Sequence, residues 1–177
     1  RKKVDGQKSR NARRAAATVL SAVVVNGRSL TAAKNRIDDK LESRDRALAM
    51  ELANGVLRWR FRLEALLAHL LSKPLRKKDH DVQLILLIAL YELIELNTPD
   101  YAVVNEAVAQ TRRIGKKWAA SMVNAVLRHF IRDRQKLLTA VDSNSVAGFS
   151  HPRWLIDLLS HDWPEAVEQI QIGRAHV

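Results

Sequence analysis

Apolar residues recur along this chain three and four positions apart, and no useful stretch has the two-residue alternation of a half-buried strand. Ala12, Ala15, Ala16, Val19 and Val23 form one stripe, with Arg10, Arg14 and Ser21 on the opposite face. This predicts a helix starting at Ser9 and stopping at Asn26-Gly27, since Gly accepts the left-handed conformation that ends helices. Ser29 is placed to cap a second, short helix carrying Leu30, Ala33, Ile37 and Leu41. Ser43 is placed to cap a third, with Leu48, Leu52 and Val56 inward and the pattern continuing through Leu63, Leu66, Leu67 and Leu70 to Lys73-Pro74. One helix over 44–71 would be unusually long for a globular domain, so a break is expected near Trp59 to Phe61. Gly55, in mid-helix, reads as a point of close helix packing.

The most apolar segment starts at Asp79 or Asp81 and runs through Leu84, Leu87, Ile88, Tyr91 and Ile94 to the stop at Asn97-Thr98-Pro99. It is apolar on nearly all sides up to Leu90, which predicts a central buried helix. Val103, Val104, Ala107, Val108 and Ile114 mark the next helix, closed by Gly115. Trp118, Met122, Val126, Phe130 and Leu137 mark the last long one. Asp142 to Ser150 reads as a polar linker, followed by short helices at Pro152 to Ser160 and Pro164 to Ile170, each with Pro suited to a first turn. The expected fold class is all-α.

Composition sharpens this picture. The chain has 177 residues, 47% of them apolar, with only 6 Gly and 4 Pro: the length suits one compact domain of long elements with room for the start of a second. There is no Cys, which removes disulfides, thiolate metal sites and a Cys nucleophile from consideration and fits a reducing, cytoplasmic location. The longest apolar run, Leu84 to Tyr91, falls far short of the roughly 18 residues of a membrane span, so no membrane partner is expected.

Charge indicates the partner. A net charge of +11 calls for a polyanion, nucleic acid being the common case. Arg1, Lys2, Lys3, Lys8, Arg10, Arg13 and Arg14 place seven cations in the first fourteen residues, Arg1 to Lys8 reading as a basic arm. Such cations neutralise phosphates, and Arg also stacks on unpaired bases. Candidate RNA contacts here are Lys2, Lys3, Lys8, Arg10, Arg13 and Arg14. A second cluster of candidate RNA contacts, Arg112, Arg113, Lys116 and Lys117, surrounds Gly115; the helix macrodipole accounts for its two arginines but not for its two lysines. The His residues have no metal-binding spacing, His69 and His129 reading as structural, and no metal is expected. No phosphate-binding Gly loop or GxSxG occurs, and no catalytic residue is indicated. Glu92 and Glu95 follow the buried stretch, where one of them is expected to have a shifted pKa.

At this level of detail the chain resembles the NusB-like family. Ala102-Val103-Val104-Asn105-Glu106-Ala107-Val108 and Met122-Val123-Asn124-Ala125-Val126-Leu127-Arg128 are similar to two of its helices, with Met122 where the family usually has Phe. Tyr91-Glu92-Leu93 ends the preceding buried helix in the expected place. The resemblance implies a bundle of two packed three-helix units followed by a short helical linker. Three further segments resemble one branch, the Sun/Fmu (RsmB) family of small-subunit (16S) ribosomal RNA cytosine-C5 methyltransferases. They are Asp45-Arg46-Ala47-Leu48 leading into Asn54-Gly55-Val56-Leu57-Arg58, the ending Val126-Leu127-Arg128, and Ser150-His151-Pro152-Arg153-Trp154-Leu155.

The implied organisation is a basic arm at 1–8, a NusB-like RNA-binding domain at 9–140, and a linker with the start of the methyltransferase part at 141–170. Residues 171–177 read as a translated sequencing adapter, so the chain is taken as a truncated fragment. The resemblance implies an enzyme that uses S-adenosylmethionine and a Cys that adds to cytosine C6. With no Cys here, both belong to a catalytic domain absent from this chain, which is then a partner in cis beside ribosomal RNA, and the fragment itself is no enzyme. Two other readings share the evidence. One is a NusB antitermination factor, active in regulation of transcription, that binds RNA with a ribosomal protein. The other is a helical protein-interaction domain using Trp59 or Trp154. Under the leading reading Trp154 packs against the last long helix or the absent domain.

Overall fold

The computed structural model describes residues 12–35, 37, 41–143, 145–148 and 150–164. They form helices without a strand among the described residues, as the pattern predicts. The first helix, α1, is α-helical over 12–20 and widens into a π-turn at Ser21–Val25. The wider turn inserts an extra residue and rotates the stripe. Ala22 is therefore buried while Val23, expected inward, is only half-buried. Gly27 ends the segment at φ 63°.

Ser29 caps α2 (Leu30–Lys34) as expected, its hydroxyl accepting from Ala32 N–H at 3.2 Å. The helix stops at Asn35, well before Leu41, yet Ile37 is still buried. Ser43 does not cap α3 (Ser43–Arg58): it is the first helical residue, and Glu42 occupies the cap position without a capping bond from its side chain. Asp45 supplies the negative charge that suits a helix N-terminus.

The expected break falls at Trp59, whose φ of −98° and ψ of 18° separate α3 from α4 (Arg60–Leu70). The bend is held by Arg62. Its guanidinium lies 5.3 Å from the Trp59 ring centre and grips Asp142 at the far end of α7 through two hydrogen bonds of 2.7 and 2.8 Å.

A 3₁₀ turn at Lys77–Asp79 leads into α5 (His80–Glu95). Leu84 through Leu93 are all buried, so α5 is the central helix its composition predicts, packed against α3, α4, α6 and α7. Gly55 is where α3 comes closest: a Cβ there would overlap the Tyr91 ring. The Tyr91 hydroxyl donates to Glu51 at 2.6 Å. Burial, followed by that hydrogen bond, pushes the phenol pKa above its ordinary value.

Helix α6 (Asp100–Arg113) ends at Gly115, φ 79°, and packs along α7 (Ala119–Asp142). Helix α7 continues past the expected Leu137, across a kink at Asp133. The linker is not wholly irregular: it contains the single turn α8 (Ser145–Gly148). Pro152 is the N-cap residue of α9 (Arg153–Asp162), one position before the first turn. The helix expected at Pro164 to Ile170 falls almost wholly outside the described residues.

Candidate nucleic-acid interface

Of the first basic cluster, Lys2, Lys3, Lys8 and Arg10 lie outside the described residues. Arg13 and Arg14 are adjacent on α1, so their side chains point about 100° apart. Arg14 is exposed, as expected. Arg13 is turned inward and only 7% exposed. Its Nε donates to Glu92 Oε2 at 3.0 Å, and its Nη2 lies 2.9 Å from Oε1. The second approach is an ionic contact without hydrogen-bond alignment.

Glu92 is the acid set within the apolar run of α5 and is itself 1% exposed. Burial raises its pKa; the charge and hydrogen bond of Arg13 work in the opposite direction without overcoming it. Arg13 therefore has an internal task, fixing α1 to the central helix, in place of the outward face that local charge clustering suggests.

The second cluster divides in the same way. Arg112, Arg113 and Lys117 are exposed, with Arg113 held 2.7 Å from Glu106. Lys116 turns back onto the start of α5. It donates to Asp79 at 2.8 Å, to Asp81 at 2.6 Å and to the Lys78 carbonyl at 2.7 Å. Burial opposes the ammonium, but the two carboxylates outweigh it and raise its pKa. The hydrogen bond from Lys116 lowers that of Asp79.

The two clusters, far apart in sequence, meet in space. The exposed faces of three helices line one groove of about 770 Å³. Helix α1 contributes Arg14, Ala17, Thr18 and Ser21; α5 contributes His80, Asp81, Leu84 and Ile85; α6 contributes Gln110 and Arg113, with Ile114 just beyond its end. Each set follows the i, i+3, i+4 spacing or its neighbour, which puts it on one face of its helix.

Arg14 and Arg113 thus stand at the same opening. Asp81 lines the groove but is paired with Lys116, which it shares with Asp79, and Glu106 is tied to Arg113. Gln110 is 7% exposed, and its Nε2 has no hydrogen-bond partner among the described residues. Its volume lies within the range of small-ligand sites.

Sequence reading overlooked two groups here. Gln110 falls on the α6 stripe of Val103, Ala107 and Ile114, and a polar residue in an apolar register was the available signal. Trp118 fits the α7 stripe by spacing, but it is 57% exposed beside Lys117. Trp154, expected to pack on the last long helix or the absent domain, is 67% exposed. Leu158, one turn later, and Trp163 are exposed as well. Among the described residues no group of His or carboxylates could hold a metal, and no helix is long and apolar enough to cross a membrane.

Comparison with known proteins matches the groove-bearing part of the chain, residues 10–132, to the model of the NusB family. The chain is also similar to curated proteins named ribosomal RNA small subunit methyltransferase B. The relative from Pseudomonas syringae pv. tomato is 42% identical over 160 residues, 90% of this chain and 36% of the relative. That from Pseudomonas putida is 41% identical, over 90% of this chain and 37% of the relative. That from Vibrio cholerae is 36% identical over the same shares. This chain spans a little more than a third of the length of these relatives. With the family model covering well over half of its residues, the chain belongs to the NusB family.

Proposed function

We propose that this chain is the RNA-binding amino-terminal domain of a ribosomal RNA small-subunit (cytosine-C5) methyltransferase. It holds RNA for a catalytic domain joined to it in cis and contributes no catalytic residue. The supporting observation is the convergence of Arg14 with Arg113 at one opening, with Arg112 and Lys117, close to Arg113 in sequence, exposed. Cations from two basic segments with no sequence proximity thus line one groove, which suits a phosphate backbone. The names of the relatives supply the class of RNA and favour this reading over an antitermination factor.

S-adenosylmethionine does not fit the residues present. The sequence has no Gly-rich dinucleotide loop and no Cys to attack cytosine, and the described residues form no sheet to carry such a site. Cofactor and chemistry belong to the remainder of the parent protein. Residues 1–8 act as a basic arm, 9–140 as the RNA-binding domain and 141–170 as the link to catalysis, in a cytoplasmic protein.

The test is binding of a labelled small-subunit ribosomal RNA fragment across a salt series. Affinity should fall linearly on logarithmic axes, each phosphate neutralised adding about 0.7 to 0.9 to the slope. Replacing Arg14, Arg112 and Lys117 together by Ala should flatten that slope by about two. Binding that ignores salt, or that this triple change leaves intact, would refute the proposal.

A further inference from the structure

The groove between α1, α5 and α6 offers more than charge. Its rim has Arg14 and Arg113, its floor has Ala17, Leu84 and Ile85, and Gln110 stands among them. A backbone-tracking surface needs only the rim. The floor is apolar and concave, and it contains a buried amide nitrogen left without a partner among the described residues.

Leaving a buried amide donor unpaired is unfavourable, and fold stability would be as well served by Leu on this stripe. A buried, unpaired amide bordering an apolar surface is suited to a planar, hydrogen-bonding ring. The side-chain carboxamide presents a donor and an acceptor side by side, the pairing that Gln makes with a base edge.

We infer that this groove receives one unpaired nucleotide of bound RNA. The base lies on the Ala17–Leu84–Ile85 floor with its edge hydrogen-bonded to Gln110, and the flanking phosphates lie on Arg14 and Arg113. The inference rests on the RNA-binding reading above and adds a base-recognising pocket to it. RNA proteins that read sequence do so on splayed single-stranded bases. The Lys116 bridge to Asp81 has a role in this arrangement: shared with Asp79, it offsets part of the charge of the carboxylate at the groove, which would otherwise repel the phosphates more strongly.

The test uses the full chain and single-stranded 12-nucleotide oligomers of A, C, G or U, read by fluorescence anisotropy at low and moderate salt. Ala17→Trp fills the groove without touching a charge. It should weaken binding of the preferred oligomer about tenfold while leaving the salt slope unchanged. Gln110→Leu should erase the differences among the four oligomers, a loss of about tenfold for the preferred one, while its thermal midpoint holds or rises because an unsatisfied amide is gone.

Thermal melts confirm that each variant is folded. If Ala17→Trp disturbs the fold, Ala17→Leu serves in its place. Undiminished affinity and unchanged base preference in both folded variants would overturn the pocket while the salt-dependent binding stands, whether or not the groove takes a peptide instead. Absence of binding by the unaltered chain would overturn both readings together.

Discussion

Arg13 and Glu92 carry the clearest energetic prediction. Replacing Arg13 by Met keeps most of the packing volume but strands the Glu92 carboxylate in the core. The native state can escape by protonating Glu92. At 1.36 kcal/mol per pH unit between pH 7 and the ordinary Glu value of 4.5, that escape costs about 3 kcal/mol. Because the pKa of Glu92 is already raised in the parent, the expected loss for Arg13→Met is at most about 3 kcal/mol at pH 7, or up to roughly 6–12 °C in thermal midpoint for a chain of this size.

The sign with pH follows from the raised pKa of Glu92. A folded carboxyl that holds its proton more tightly than the unfolded one favours the folded state at low pH and loses that advantage as pH rises. The deficit should shrink to about 1.4 kcal/mol or less at pH 5.5 and grow above pH 7. The double variant Arg13→Met/Glu92→Leu removes both charges together and should be within about 1 kcal/mol of the parent, or more stable. Urea titrations at pH 5.5, 7 and 8 of the two single variants and the double complete the cycle. A destabilisation that does not change with pH, or a double variant as weak as Arg13→Met, would refute this account of the pair.

Other positions give further tests. Gly55→Ala drives a methyl into the Tyr91 ring and should cost about 2 kcal/mol with no change in RNA affinity, read by urea titration and anisotropy. Ser29→Ala removes the one capping bond of α2 and should cost about 1 kcal/mol in the same titration. Lys116→Met releases Asp79, whose lowered pKa supplies stability above the ordinary value of 3.8 that is lost as pH falls through the lowered one. The gap between variant and parent should thus be wide at pH 7 and narrow as pH falls below 3.8, as urea midpoints across that range would record.

Much of the fold follows from periodicity because its elements differ in kind. The run from Leu84 to Leu90 is apolar on every side and has only one place to go, the centre. The break at Trp59 was legible from length alone, although the clamp that holds it, Arg62 on Asp142, joins residues no local pattern connects. The same limit explains why sequence alone does not sort the charges. Arg13 and Lys116 look like their neighbours in sequence, and only the partners Glu92 and Asp79, brought close by folding, separate them from Arg14 and Lys117. A partial signal existed for the first: an acid inside a helix buried all round needs a cation, and Arg13 borders the apolar stripe of Ala12 and Ala16. The π-turn at Ser21–Val25 left no recognisable mark on composition.

The placement of tryptophan has a practical consequence. All four tryptophans stand outside the fully buried core: Trp59 is half-buried under Arg62, and Trp118, Trp154 and Trp163 face outward. Intrinsic fluorescence will therefore be a poor gauge of whether the helices have melted. It will respond instead to what settles on the surface, with Trp118 reporting on the basic corner and the α9 pair on whatever covers that helix. A spectrum insensitive to unfolding but shifted by an added molecule would record docking without labels.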